Sequence, residues 1–167
     1  IITHIEYDVF GRQTRGYLPY ASAQNNLNYS DPSALVPNVV AQYKSNYGNE
    51  NANPFSEKLL ENSPLSRVLQ QAAPGNDWRL GSGHEIKIDY RTNGFEEVKL
   101  FTANTSWDAA SGLYTISFKN NGYYLANELY KTITYNENAV SPLVESNGST
   151  VEFKNKEGQV VLKRTYD

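Results

Sequence analysis

The sequence predicts a mainly β protein of antiparallel hairpins, with one short helix and long loops. Three observations carry this. The chain is rich in Tyr, Thr and Asn, with 13 Tyr in 167 residues, and poor in strong helix formers. Its apolar residues alternate with polar ones over several short runs. Those runs are separated by Gly-containing turn signals at Gly11, Asn93-Gly94, Asn121-Gly122 and Gly158.

Taken in order, residues 1–20 read as two strands around a turn. Ile1, Ile2, Ile5 and Tyr7 lead in, Gly11 turns, and Gln13 to Leu18 lead out before Pro19. The Asn-, Ser- and Pro-rich stretch 21–37 reads as loop. A helix is expected over 38–47, capped by Asn38, with Val39, Val40, Tyr43 and Tyr47 on one face and Gly48 as its left-handed stop. Residues 49–54 read as polar loop.

The next segment echoes the first. Pro74 lies seven residues after Arg67, as Pro19 lies seven after Arg12. Ser56–Leu60 and Arg67–Ala72 therefore read as a second hairpin with Ser63-Pro64 in its turn. A helix over 55–71 is the alternative, and Pro64 weakens it. Beyond, His84–Tyr90 alternates, Asn93-Gly94 predicts a hairpin turn, and Val98–Thr102 is the expected return strand. Residues 103–112 read as extended loop. Leu113–Phe118 is expected to run into a turn at Asn121-Gly122. Glu128–Tyr135 then leads to Asn136-Glu137-Asn138, and Val151–Phe153 pairs with Gln159–Arg164 across Lys156-Glu157-Gly158. Aromatic-x-x-x-Gly recurs loosely at Tyr7/Gly11, Tyr90/Gly94 and Phe118/Gly122. The expected core comprises Ile5, Tyr7, Leu59, Val68, Leu69, Ile86, Ile88, Val98, Leu100, Tyr114, Ile116, Phe118, Ile133, Val151, Phe153, Val160 and Leu162.

Composition narrows the function classes. A net charge of −3 provides no basic footprint, so nucleic acid is not an expected partner. With no Cys there are neither disulfides nor thiolate metal sites. No apolar run reaches the ~18 residues of a membrane-spanning helix. His84, Glu85 and Asp89 offer a base and carboxylates, but neighbours on a strand face opposite sides. His4 and His84 lack a zinc-type spacing, so no catalytic, metal or cofactor site is expected. Gly81-Ser82-Gly83 precedes β-patterned residues and reads as a strand-initiating turn, not a phosphate cradle. The sequons at Asn28, Asn104 and Asn147 read as loop composition. Trp78, Trp107 and the many Tyr could stack on sugar rings, although alternating Tyr on strands more often packs half-buried.

The unit Tyr7-Asp8-x-x-Gly11-Arg12 with Pro19 resembles the YD repeat of Rhs-family proteins, and Gly158 with Tyr166-Asp167 resembles the end of one unit and the start of the next. The run Ser63-Pro64-Leu65-Ser66-Arg67, Ala73-Pro74-Gly75 and Asp77-Trp78 is similar to the domain of unknown function that precedes the YD repeats in many Rhs proteins of Gram-negative bacteria. The resemblance implies one β domain over 1–167, made of a YD-like hairpin (1–20), loop and helix (21–54) and a hairpin region (55–167). It would be a fragment of a longer secreted or surface chain that continues past Asp167, folded as a sandwich or part of a shell. In such proteins YD hairpins form a hollow β shell around a C-terminal, often toxic, domain. The implied partners are the rest of the chain, outer-membrane secretion machinery and, on the alternative adhesion reading, a surface glycan. In the repeat, Tyr would pack on a neighbouring hairpin and Asp would accept turn N–H groups. Tyr135-Asn136 and Phe153-Lys154 depart from the pattern by lacking the Asp.

Overall fold

A computed structural model of the chain describes residues 1–24, 28–48 and 52–167. It is mainly β, with antiparallel pairings and one helix, as expected. The strands are β1 (Arg15–Tyr17), β2 (Phe55–Leu60), β3 (Val68–Ala72), β4 (Ile86–Thr92), β5 (Lys99–Asp108), β6 (Leu113–Tyr123), β7 (Tyr130–Tyr135), β8 (Ser149–Lys154) and β9 (Val160–Tyr166); the helix is α1 (Pro32–Tyr47). The chain divides into two compact units. The first comprises Ile1–Ile88, Thr134–Ser149 and Asp167; the second comprises Asp89–Ile133 and Thr150–Tyr166.

In the first unit β2 lies between β1 and β3, and β3 pairs onward with the start of β4 through Gln70↔Lys87 and Gln71↔Ile86. The second hairpin is therefore real, and the helical alternative over 55–71 is excluded. Before β1, the expected leading strand contributes only a single bridge, Ile2↔Tyr20.

The helix begins six residues earlier than expected. Asp31, not Asn38, is its N-cap, and its carboxylate accepts from Ser33 N at 2.8 Å. Pro32 occupies the first turn, where the missing N–H costs nothing. Pro37, read as loop, sits inside the helix. Gly48 closes it at φ 62°, as expected. The buried stripe is Leu35 and Val39, packed with Tyr17 and flanked by Ile2, Tyr20, Val36, Tyr43 and Phe55. Tyr47, expected on that face, is exposed. The loops expected at 21–37 and 49–54 fall partly outside the described residues.

In the second unit the strand order is β4-β7-β8-β9, and β5 and β6 form a separate two-stranded sheet. The hairpin expected at Asn93-Gly94 is absent: β4 has β7 beside it, not β5. A two-residue hairpin of this type needs positive φ, which Gly94 does not adopt. Asn93 instead is 1% exposed and works as an internal bracket. Its side chain accepts from Leu129 N at 2.7 Å and donates to Leu125 O at 2.8 Å. Asn93→Ala strands the Leu129 N–H and leaves Leu125 O with only its 3.2 Å bond from Glu128 N, and we expect a loss of about 1–3 kcal/mol in a urea unfolding curve.

The expected loop over 103–112 is mostly strand, since β5 runs to Asp108 and only the following residues turn. Asn121-Gly122 is not a hairpin turn either. The register steps from Phe101↔Asn120 to Lys99↔Tyr123, so β6 carries one extra residue there, and Gly122 takes φ 84°. A bulge uses the same residue types as a turn, because both need positive φ. The last hairpin forms as expected, β8 lying beside β9.

The buried core of the second unit includes Val98, Leu129, Ile133, Val151 and Phe153. Val98, Ile133, Val151 and Phe153 were expected inside. Ile5, Tyr7, Leu59, Tyr114, Ile116, Phe118 and Val160 were also expected inside, but they are exposed. Val68, Leu69, Ile86, Ile88, Leu100 and Leu162 are half-buried. Alternation marks which residues share a face, but it does not supply a layer to cover that face.

Candidate functional site

The chemistry of this chain is concentrated in its hairpin turns. At the first, Asp8 N donates to Arg12 O at 2.9 Å and Gly11 N donates to Asp8 O at 2.9 Å. The Asp8 carboxylate accepts from Phe10 N and Arg12 N, each at 2.9 Å, and from Arg12 Nε at 2.8 Å. One carboxylate thus closes the turn and orients the arginine. Its pKa is lowered, first by the Arg12 N–H and then by the guanidinium and Phe10 N–H, with slight burial opposing. Gly11 takes φ 74°, which the tight return requires.

The Ser63-Pro64 turn repeats the device over a longer loop. The Glu61 carboxylate accepts from Arg67 Nη2 at 2.8 Å, Arg67 Nε at 3.0 Å and Arg67 N at 3.3 Å. Ser63 Oγ also donates to Glu61 at 2.7 Å while accepting from Leu65 N at 3.1 Å. The Arg67 side chain, then the Ser63 hydroxyl, holds the Glu61 carboxyl down at about 2. Arg12 joins the two turns: its Nη1 reaches Glu61 O at 3.3 Å and Ser66 Oγ at 3.2 Å.

The sign of the pH dependence follows from this depression. A lowered carboxyl stabilises the turn above its ordinary value near 4.5 and loses that contribution as pH falls toward about 2. We expect the protection of the Leu65 and Arg67 amides, measured against the intrinsic exchange rate at each pH, to fall over that window. Glu61→Gln should show reduced protection already at pH 7 and no further loss between pH 4.5 and about 2.

The two hairpins also end alike. Leu18 N donates to Pro54 O and Gly75 N to Asn53 O, each at 2.8 Å, so the exits before Pro19 and after Pro74 meet successive residues ahead of β2. The Arg-to-Pro spacing noted in the sequence is therefore a structural echo. Pro19 O accepts from Tyr43 Oη at 3.0 Å. Gly75 stands at φ 114°, and a Cβ there would lie 3.3 Å from Trp78 Cδ1. Trp78 packs against the His84 ring at 5.2 Å, and Asp77 O accepts from Ser82 Oγ at 2.7 Å. Gly81 and Gly83 both have positive φ, forming the turn expected before β4.

A turn of the same build closes the last hairpin at the expected Lys156-Glu157-Gly158 position, with Asn155, a residue the sequence did not single out, as its cap. Asn155 N donates to Gln159 O and Gly158 N to Asn155 O, each at 3.0 Å. Asn155 Oδ1 accepts from Gln159 N and its Nδ2 donates to Gln159 Oε1, each at 2.8 Å. Asn155-x-x-Gly158-Gln159 is thus a neutral version of Asp8-x-x-Gly11-Arg12. The cap is Asn155, one residue beyond Lys154, where the sequence pattern lacks its Asp. The shared spacing of cap, Gly and return residue was the signal available. At Tyr135-Asn136, Asn136 Oδ1 accepts from Asn138 N at 3.1 Å and Asn136 O from Ala139 N at 3.2 Å. Asn136 N reaches Gly148 O at 2.8 Å, so this turn has the same start but a longer return loop.

Other expectations are corrected. Tyr7 was to pack on a neighbouring hairpin, but it is exposed. Of the three aromatic-x-x-x-Gly sites, Gly11 turns, Gly122 bulges and Gly94 lacks positive φ. Tyr166 ends β9 half-buried and Asp167 is exposed. His84 and Glu85 both precede β4. Glu85 is turned toward Gly83 N, at 2.9 Å, and Lys87 Nζ, at 3.4 Å. Burial opposes its charge, yet these donors hold its pKa below the usual range. His4 is buried edge-on to Tyr17 and stands 3.5 Å from Glu6. Among the described residues no three His, Asp or Glu side chains gather as a metal site.

A polar cluster in the second unit was also missed. Lys131 Nζ lies 2.6 Å from Glu97 Oε1, and Arg164 Nη2 donates to Glu97 O at 2.7 Å. Both cations stand near the buried Phe153 ring, at 5.4 and 5.2 Å from its centroid. Burial opposes the Glu97 charge, but Lys131, Gly94 N and Arg164 outweigh it and keep the carboxyl low. The cluster ties β7 and β9 to the segment before β5.

These turns and strands define a mainly β protein built on antiparallel hairpins. A family described as a domain of unknown function (DUF6443) matches residues 1–92. The match spans more than half of the chain, which belongs to that family. No curated protein and no solved structure matches the chain.

Proposed function

We infer that this chain is a structural, non-catalytic module of a large secreted or surface-exposed Rhs/YD-repeat protein. In this reading it contributes to or caps a β shell that encloses a C-terminal toxin or effector. Its partners are the rest of its own chain and, during export, outer-membrane secretion machinery. The observation that carries the reading is the recurrent turn clasp: Asp8 with Arg12, and Asn155 with Gln159, at one spacing and with one hydrogen-bond pattern. Repetition of a turn whose polar groups are consumed in holding the turn fits an architectural role better than a catalytic one.

The test is removal of these 167 residues from the full-length protein. The expected result is a shell that opens to protease and a C-terminal domain that becomes digestible. A shell as resistant as before would reject the structural role. The non-catalytic claim has its own check: any activity of the full-length protein should survive His84→Ala with Glu85→Ala.

Glycan binding is the second reading, favoured by one cleft in the first unit. It has a volume of about 310 Å³ and is lined by Tyr43, Tyr47, Pro54, Pro74 and Asn76 among others. The Tyr43 and Tyr47 rings are parallel within 10°, with centroids 6.1 Å apart, a surface on which a sugar ring can lie. Tyr47→Ala, at an exposed position, should abolish binding on a glycan array while leaving the melting temperature unchanged. Equal binding by the variant would retire this reading.

A further inference from the structure

The β5–β6 hairpin of the second unit has two chemically different faces. Side chains of directly paired residues share a face. One face thus carries Phe101, Ala103, Thr105 and Trp107 from β5, opposite Asn120, Phe118, Ile116 and Tyr114 from β6. The other carries Thr102, Asn104, Ser106 and Asp108 opposite Lys119, Ser117, Thr115 and Leu113. The first face has no charged side chain between Lys99 and Asp108, and it is uncovered. Phe118 is 79% exposed, and Phe101, Trp107, Tyr114 and Ile116 are each more than half exposed. A soluble protein rarely leaves such a face bare, and a two-stranded sheet gains little stability alone.

We propose that this face is the contact between two copies of the chain, stacked hairpin on hairpin. The proposal stands independently of the functional reading above. Its basis is self-complementarity of shape. Across the hairpin, small faces large: Ala103 pairs with Phe118 and Thr105 with Ile116. A two-fold axis parallel to the strands lays β6 of each copy over β5 of the other at the same height. Each Phe118 then sits over the partner copy's small residue at the Ala103 position, each Ile116 over the Thr105 position, and Tyr114 meets Trp107. Sheets stacked in this way lie about 10 Å apart. The isologous contact repeats every interaction twice.

Area supports the same occupant. The five large side chains offer roughly 600–700 Å² per copy. A standard stable interface takes ~800 Å² per partner. Other occupants fit less well. The apolar run from Phe101 to Trp107 is about 20 Å long, short of the ~30 Å of a bilayer core. A sugar platform needs coplanar rings, whereas Trp107 and Tyr114 meet at 64°.

Sedimentation equilibrium of the whole chain tests this. Wild type should be a dimer at micromolar concentration. Phe118→Ser and Ile116→Ser change exposed side chains, and each should weaken association on the order of 30-fold or more. A second measurement fixes the geometry. Thr105→Lys and Ile116→Glu chains place opposite charges at positions that face each other between copies, while each chain alone sets its new charge against an uncharged residue. The expected product is the mixed pair, in excess over either self-pair. A wild type that stays monomeric at 100-fold higher concentration (about 100 μM), or a dimer that forms no mixed pair, would overturn the proposal. So would a monomer that instead binds vesicles of phosphatidylethanolamine and phosphatidylglycerol through this face.

Discussion

Glu97→Ala is expected to destabilise the protein by about 3–5 kcal/mol, measured by urea unfolding at pH 7. Glu97 Oε1 lies 2.6 Å from Nζ of Lys131, whose side chain is only 8% exposed, and Glu97 Oε2 accepts from Gly94 N at 2.6 Å. Arg164 Nη1 lies 3.9 Å from Glu97 Oε1, the oxygen beside Lys131. Truncation removes one negative charge from between two cations, one of which, Lys131, is held where water hardly reaches. The penalty is that of leaving buried positive charge poorly compensated, which exceeds the modest net worth of the intact pair. The conservative Glu97→Gln keeps the shape and the Gly94 contact, so it should recover part of the loss. Acid has the same sign of effect. Because the Glu97 carboxyl is held low, its contribution is present above the ordinary carboxylate range and fades as pH falls through the lowered value.

Phe153→Ala should cost a similar amount, about 3–5 kcal/mol, for a different reason. Phe153 has no exposed surface. Its removal forfeits the transfer energy of the ring and leaves a cavity that the flanking strands cannot fully close. It also removes the aromatic ring beside which Lys131 and Arg164 stand. Phe153→Leu should keep most of the packing and lose the cation contacts, so the difference between the two variants isolates the cavity. A double-mutant cycle of Glu97→Ala with Phe153→Leu should be non-additive, because both act on the same two cations.

Some of this was legible along the chain. The second hairpin followed from Ser63-Pro64 and from the spacing of Arg67 to Pro74, since turn chemistry is local. The last hairpin followed from Gly158 for the same reason. The helix was recognised, but its start was misplaced, because Pro32 and Pro37 read as breakers. Asp31-Pro32 is in fact a start signal, and Leu35 needs the first turn to reach Tyr17. The Asn-Gly pairs failed more instructively. Asn93-Gly94 and Asn121-Gly122 look alike, yet one is a buried bracket and the other a bulge. The dipeptide states which φ values are accessible; neighbouring strands choose among them.

The candidate site divides along the same line. Asp8, Gly11 and Arg12 stand out by type and spacing, and the bonds of the Asp8 carboxylate close within five residues. Glu97, Lys131 and Arg164 do not, although Lys131 occupies the inward parity of β7 with Ile133 and Tyr135. A lysine in that position only announces that it requires a partner.

The sequence by itself determined the β class, the turns at Gly11, Ser63-Pro64 and Gly158, and the place of Asp8 as acceptor of turn N–H groups, because alternation and turn chemistry act over a handful of residues. Only the tertiary structure decided which alternating faces are covered. It buried Phe153 among the strands of the second unit and left Phe118 bare on β6. Each is an aromatic residue in an alternating strand, and they differ solely in what the rest of the fold lays against them.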